Sequence, residues 1–120
     1  MQDDSMIRFR LEKIIEHCNL IERDLVGLSF DDFSKSSLLC RATAFTINNI
    51  CEQVTRLRAK FEDKYPEVKW QEITDLRILE SHIYWKIDYK TIFEIATIDL
   101  PILKSHILVI LEDLNKNFIN

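Results

Sequence analysis

Glycine occurs once and proline twice in these 120 residues. A sheet with many tight turns needs more of both, so that class is excluded, and long helices with short connections are expected. No apolar run approaches the ~18 residues that could span a membrane. The first ten residues, which include Asp3, Asp4, Arg8 and Arg10, lack the apolar core of a signal peptide. A cytoplasmic location is the resulting expectation. The three cysteines, Cys18, Cys40 and Cys51, form no C-x-x-C pair. That spacing indicates neither a zinc site nor a disulfide framework, and buried or half-buried helix positions are expected for all three.

An excess of positive charge is missing as well, since the formal net charge is −4. Non-specific nucleic-acid affinity comes mainly from neutralising phosphates, so a general nucleic-acid binder is disfavoured and any basic footprint must be local. Residues 56–90 hold Arg56, Arg58, Lys60, Lys64, Lys69, Arg77, Lys86 and Lys90, interleaved with acids. A solvated mixed-charge face and an RNA-binding strip both fit that pattern. No internal repeat, low-complexity segment or long linker divides the chain, and residues 1–120 read as a single domain.

What is present is helical periodicity. Ile7, Leu11, Ile14, Ile15, Cys18, Ile21 and Leu25 recur at three and four, predicting an amphipathic helix to about Val26. Asp4 or Ser5 is its expected cap and Gly27 its C-terminal stop. Ser29-Phe30-Asp31-Asp32 has the form of a capping box, opening a short helix to about Lys35. Ser36 or Ser37 caps a long helix from Leu38 to about Lys64. Its apolar set of Leu39, Ala42, Phe45, Ile47, Ile50, Cys51, Val54, Leu57 and Phe61 is broad enough to predict neighbours on two sides. Tyr65-Pro66 ends it. A helix from about Lys69 to Ser81 follows, then a connection rich in aromatics over residues 84–89. Asp88 is the expected cap of a helix to about Ile98. Asp99 is the expected cap of a last helix, Pro101 to about Lys116. The fold class is all-α, an up-and-down bundle of about five helices.

Residues 77–84 are the only place where an arginine, a histidine and a tyrosine fall within eight positions. At about 100° per residue, Tyr84 and Ser81 return to the face of Arg77, whereas His82 lies roughly 140° away. Arginine and histidine therefore serve one pocket if the helix ends near Ser81 or if a second copy of the chain closes the cleft.

Arg77, His82 and Tyr84 together form the pattern R-x4-H-x-Y, and the chain here resembles the HepT-like toxins of the HEPN superfamily. Residues 28–33, 47–52 and 64–67, Trp70 and Asp99-Leu100-Pro101 are similar to the family's landmarks in the family's order. The resemblance implies an all-α, HEPN-like homodimer and a metal-independent ribonuclease that needs no cofactor. It makes Arg77 and His82 the catalytic pair and Tyr84 the residue that a nucleotidyltransferase antitoxin modifies with AMP. The implied substrate is cellular RNA, such as tRNA.

The chemistry suits those residue types. RNA carries its own nucleophile, the 2′-OH, so cleavage needs a base, an acid and charge stabilisation on the phosphate. Histidine exchanges a proton near neutral pH, and a guanidinium offers a planar pair of hydrogen bonds to phosphate. One chain supplies one motif histidine, and a two-fold axis supplies the second. Glu52 or Asn48, on the long helix, and Ser81 are candidate supporting residues.

The plainer alternatives are an exposed helical arginine beside Glu80, a structural His82 and an aromatic packing cluster of Tyr84 with Trp85. His17 and His106, which have no partner motif, read as structural. Ile78 and Glu80 stand where the family carries polar and apolar residues respectively. With the acidic net charge they favour a second reading, a non-catalytic helical subunit that binds substrate or nucleotide for a nucleotidyltransferase. A purely structural helical adaptor is the third.

Overall fold

The computed structural model describes residues 3–76 and 88–119. Asp3, not Asp4 or Ser5, caps the first helix, α1 (Asp4–Leu25). Its carboxylate accepts from the Met6 amide at 2.8 Å, and the Ser5 hydroxyl donates to the same oxygen at 2.9 Å. An anion at the helix N-terminus is a stronger acceptor than a hydroxyl, which recruits the serine as a donor and starts the helix three residues before Ile7. Gly27 takes φ 77°, the left-handed conformation that stops α1.

Ser29 and Asp32 form the expected capping box on α2 (Phe30–Ser34), each side chain accepting from the other's backbone amide at 3.1 Å. Ser36, the first of the two expected caps, accepts from the Leu39 amide and opens α3 (Ser37–Phe61). Tyr65 extends one further turn, its amide bonded to the Phe61 carbonyl, before Pro66. The face of α3 is narrower than its sequence suggested. Ile47, Ile50, Val54 and Leu57 are fully buried, while Phe45 is 67% exposed and Ala42 lies in solvent.

After α4 (Trp70–Asp75) and α5 (Tyr89–Glu94) comes the largest departure from the sequence reading. Asp99 does not cap a separate last helix. A π-helical segment, Ile95–Asp99, joins α5 to α6 (Leu100–Ile119), so residues 89–119 form one helical run. Proline inside an α-helix lacks an amide and strikes the carbonyl four residues back. The wider π turn just before Pro101, in which the Leu100 amide reaches the Ile95 carbonyl, absorbs that conflict without breaking the helix.

The architecture among the described residues is an all-α bundle, with no strand. Helix α1 packs on α3 and α6, α4 folds back on α3, and α2 sits against α5 and α3. Phe93 of α5 meets Phe30 and Phe33 of α2 with ring centres 5.7 and 5.2 Å apart. Cys18, Cys40 and Cys51 are all buried, as expected. Burial pushes the Cys18 thiol up to about 12, which leaves it unreactive. Among the described residues, no helix is long and apolar enough to cross a membrane.

Candidate functional site

Arg77, Ser81, His82 and Tyr84 lie outside the described residues, as does the expected helix beyond Leu76. Both flanks of that stretch are described. On the entry side, α4 ends at Asp75 and is capped by Leu76, the residue before Arg77, whose amide bonds to the Ile73 and Thr74 carbonyls. Two contacts place α4 and a third lies within it. Arg58 of α3 donates to Gln71 at 2.8 Å, Gln71 donates to Asp75 at 2.8 Å, and the Trp70 indole donates to the Tyr65 carbonyl at 2.9 Å. On the exit side, the Asp88 carboxylate accepts from the amides of Lys90 and Thr91 and from the Thr91 hydroxyl, at 2.9 to 3.4 Å. The hydroxyl bond is the largest of the effects that hold its carboxyl below the usual range, the two amides adding to it.

Glu52, the supporting candidate on α3, forms an ion pair with Arg56 at 2.9 Å and is half exposed. One turn earlier, the Oδ1 atom of Asn48 is buried with no hydrogen-bond partner, and so is the Oγ1 atom of Thr74 on α4. A buried acceptor without a partner is unfavourable. Asn48 was legible as a polar residue within an apolar neighbourhood, whereas Thr74 carried no such signal. Within the basic stretch that begins at Arg56, Arg58 pairs with Glu62 at 2.8 Å and Lys69 with Glu72 at 4.0 Å.

His17 is half-buried with Nδ1 unpartnered, and burial lowers its pKa. His106 lines a cavity of about 160 Å³ bounded by residues of α3, the turn before α4, α4 itself, the π segment and α6. Asp99, displaced from its expected capping role, stands at this cavity instead. Burial raises its carboxyl above the ordinary value, with Lys69 opposing and Glu72 and Glu94 adding to the rise.

Comparison with known proteins places the chain. The family model for HepT-like ribonucleases matches residues 14–110. A protein of Caldanaerobacter subterraneus subsp. tengcongensis, provisionally named an RNase, is 32% identical over 102 residues, covering 85% of this chain and 91% of the relative. A Methanocaldococcus jannaschii protein, named as a gamma-glutamylcyclotransferase and provisionally as an RNase, is 32% identical over 111 residues, which is 92% of this chain and 50% of that relative. A protein of Thermococcus cleftensis named as a probable ribonuclease HepT is 28% identical over 94 residues, covering 78% and 86%. No solved structure gives a significant match. Resemblance in the motif, an all-helical bundle and a match across most of the chain agree: this protein belongs to the HepT-like ribonuclease family.

Proposed function

We propose that the protein is the toxin of a toxin–antitoxin pair, a metal-independent ribonuclease that cuts cellular RNA, possible targets including tRNA, at a cleft between two copies of the chain. The carrying observation is the combination of family membership with an intact Arg77, His82 and Tyr84 set in the sequence. In this reading one His82 takes the proton from a ribose 2′-OH, whose oxygen attacks the adjacent phosphorus. The P–O5′ bond breaks, and the leaving oxygen is protonated by the His82 of the second copy. Arg77 stabilises the negative charge that gathers on the phosphate oxygens. The products are a cyclic 2′,3′-phosphate and a free 5′-hydroxyl.

Tyr84 serves as the off-switch. A nucleotidyltransferase antitoxin transfers AMP from ATP to its hydroxyl, which loses its proton as pyrophosphate leaves, and the added bulk and negative charge compete with the RNA phosphate for Arg77. Expression in a bacterial host tests this reading: wild type arrests growth and His82→Ala does not. Equal growth of the two strains contradicts it.

Two observations favour a second reading. Ile78 and Glu80 alter the immediate surroundings of the motif, and the net charge of −4 opposes RNA. Under that reading the chain is a non-catalytic subunit that binds substrate or nucleotide for a nucleotidyltransferase. RNA cleavage that disappears in Arg77→Ala excludes it.

A further inference from the structure

The cavity between α4, the π segment and α6 has an apolar floor and a rim of largely one sign. Val68, Ile95, Leu100 and Leu103 form the floor and are all buried, and Ile73 and Leu76 form the α4 wall. The rim carries the carboxylates of Glu67, Glu72 and Asp99, and Lys69 is the one lysine or arginine among its described lining residues. Lys69 lies 4.0 Å from Glu72, an exposed pair that offsets little. Among the described lining residues, three carboxylates therefore face one lysine, an excess of two formal negative charges at the mouth. Burial and the neighbouring Glu72 and Glu94 already disfavour ionisation of Asp99, which a cation at this point would relieve. The cavity also coincides with the π-helical backbone of Ile95–Asp99. Ile95 and Asp99 belong to the π segment and Leu100 and Leu103 follow it, and π turns inside helices frequently mark functional positions.

We propose that this cavity receives an arginine or lysine side chain from a basic segment of a protein partner. A space of about 160 Å³ is close to the ~150 Å³ that admits a single benzene ring, enough for one long side chain and too small for a folded element. The apolar stem of such a residue lies on the floor while its charged head meets the rim carboxylates in charge-assisted hydrogen bonds. RNA is the poorer occupant, because a phosphodiester would bring its negative charge against three carboxylates. This assignment concerns a partner surface and does not depend on the ribonuclease reading, so each can fail without the other.

The test uses the full chain labelled with ¹⁵N, titrated with three probes: acetyl-Gly-Arg-Gly-amide, the same peptide with uncharged citrulline in place of arginine, and a trinucleotide of adenosines. The arginine peptide should shift the amides of Ile73, Leu76, Asp99 and Leu103 saturably, and the citrulline peptide should bind about ten-fold more weakly. Glu72→Gln combined with Asp99→Asn, both on exposed side chains, should weaken the arginine peptide about ten-fold while the remaining resonances stay in place. Equal binding of the two peptides, or no shift at these amides, overturns the proposal. Stronger shifts with the trinucleotide overturn it as well and assign the cavity to RNA.

Discussion

The phenol of Tyr65 donates a hydrogen bond to Asp113 Oδ2 at 2.7 Å, across 48 positions of sequence. Tyr65 closes the last turn beyond α3 and Asp113 sits near the end of α6, so this bond ties the start of the α4 arm to the final helix. The tyrosine ring is buried and packs edge-on against Phe61 at 5.8 Å. Tyr65→Phe keeps that packing and removes only the bond to a carboxylate. It should lower stability by about 1.5 kcal/mol in urea denaturation, with the midpoint moved and the slope unchanged.

The same bond sets an alkaline limit. Burial, then the hydrogen bond to Asp113, raises the Tyr65 phenol to about 12, against an ordinary value of 10.0. The folded state thus holds its proton more tightly than the unfolded chain. The bond contributes fully below pH 10, and its contribution is lost as pH rises from about 10 to about 12. A stability profile by circular dichroism should fall over that window, and Tyr65→Phe should fall less steeply. Parallel profiles would contradict the assignment.

At the acid end the caps act in the opposite direction. Asp3, Asp32 and Asp88 all have lowered carboxyl pKa values: the Met6 amide is the main cause for Asp3, the Ser29 amide for Asp32, and the Thr91 hydroxyl for Asp88. Stability from such groups is present above the unfolded value of 3.8 and lost as pH falls through the folded one. Amide exchange at Lys90 and Thr91 should therefore accelerate below about pH 4 in the wild type. Asp88→Asn keeps an oxygen at the cap and should flatten that acid dependence, whereas Asp88→Ala should exchange quickly at every pH.

Two neighbours on α3 separate the observed face from the one its sequence suggested. Ile47 is fully buried and Phe45 is 67% exposed. Ile47→Ala should cost about 2–5 kcal/mol, while Phe45→Ser should stay within about 0.5 kcal/mol of wild type in dilute solution. A loss for Phe45→Ser that grows with protein concentration would place that face in a contact between copies.

Local chemistry made much of this fold legible. The Ser29–Asp32 box, the Ser36 and Asp88 caps and the Gly27 stop each depend on one side chain or one dihedral angle, and sequence spacing reveals them directly. The start of α1 was less legible because Asp3, which caps it, is followed directly by the two expected caps, Asp4 and Ser5, and all three side chains can accept from a helix amide. The apolar breadth of α3 exceeds the face buried within one chain, since periodicity shows that a residue is apolar but not whether its neighbour belongs to the same chain or to a second copy. Asp99-Pro101 misled for a physical reason: cap followed by proline is the usual signature of a helix start, and here a π turn accommodates the ring within a continuing helix. The candidate site was legible only as a motif. Its Arg77, His82 and Tyr84 are three residue types with individually common structural roles, and their meaning comes from the pattern and from the family match over residues 14–110.

The most direct measurement is cleavage of a labelled tRNA pool by the purified chain in the presence of EDTA, alongside Arg77→Ala and His82→Ala. Wild type should give metal-independent cleavage with cyclic 2′,3′-phosphate ends, reduced at least about 100-fold in each variant while both remain folded. Cleavage of the same rate and pattern in wild type and His82→Ala, or none in the wild type, would contradict it.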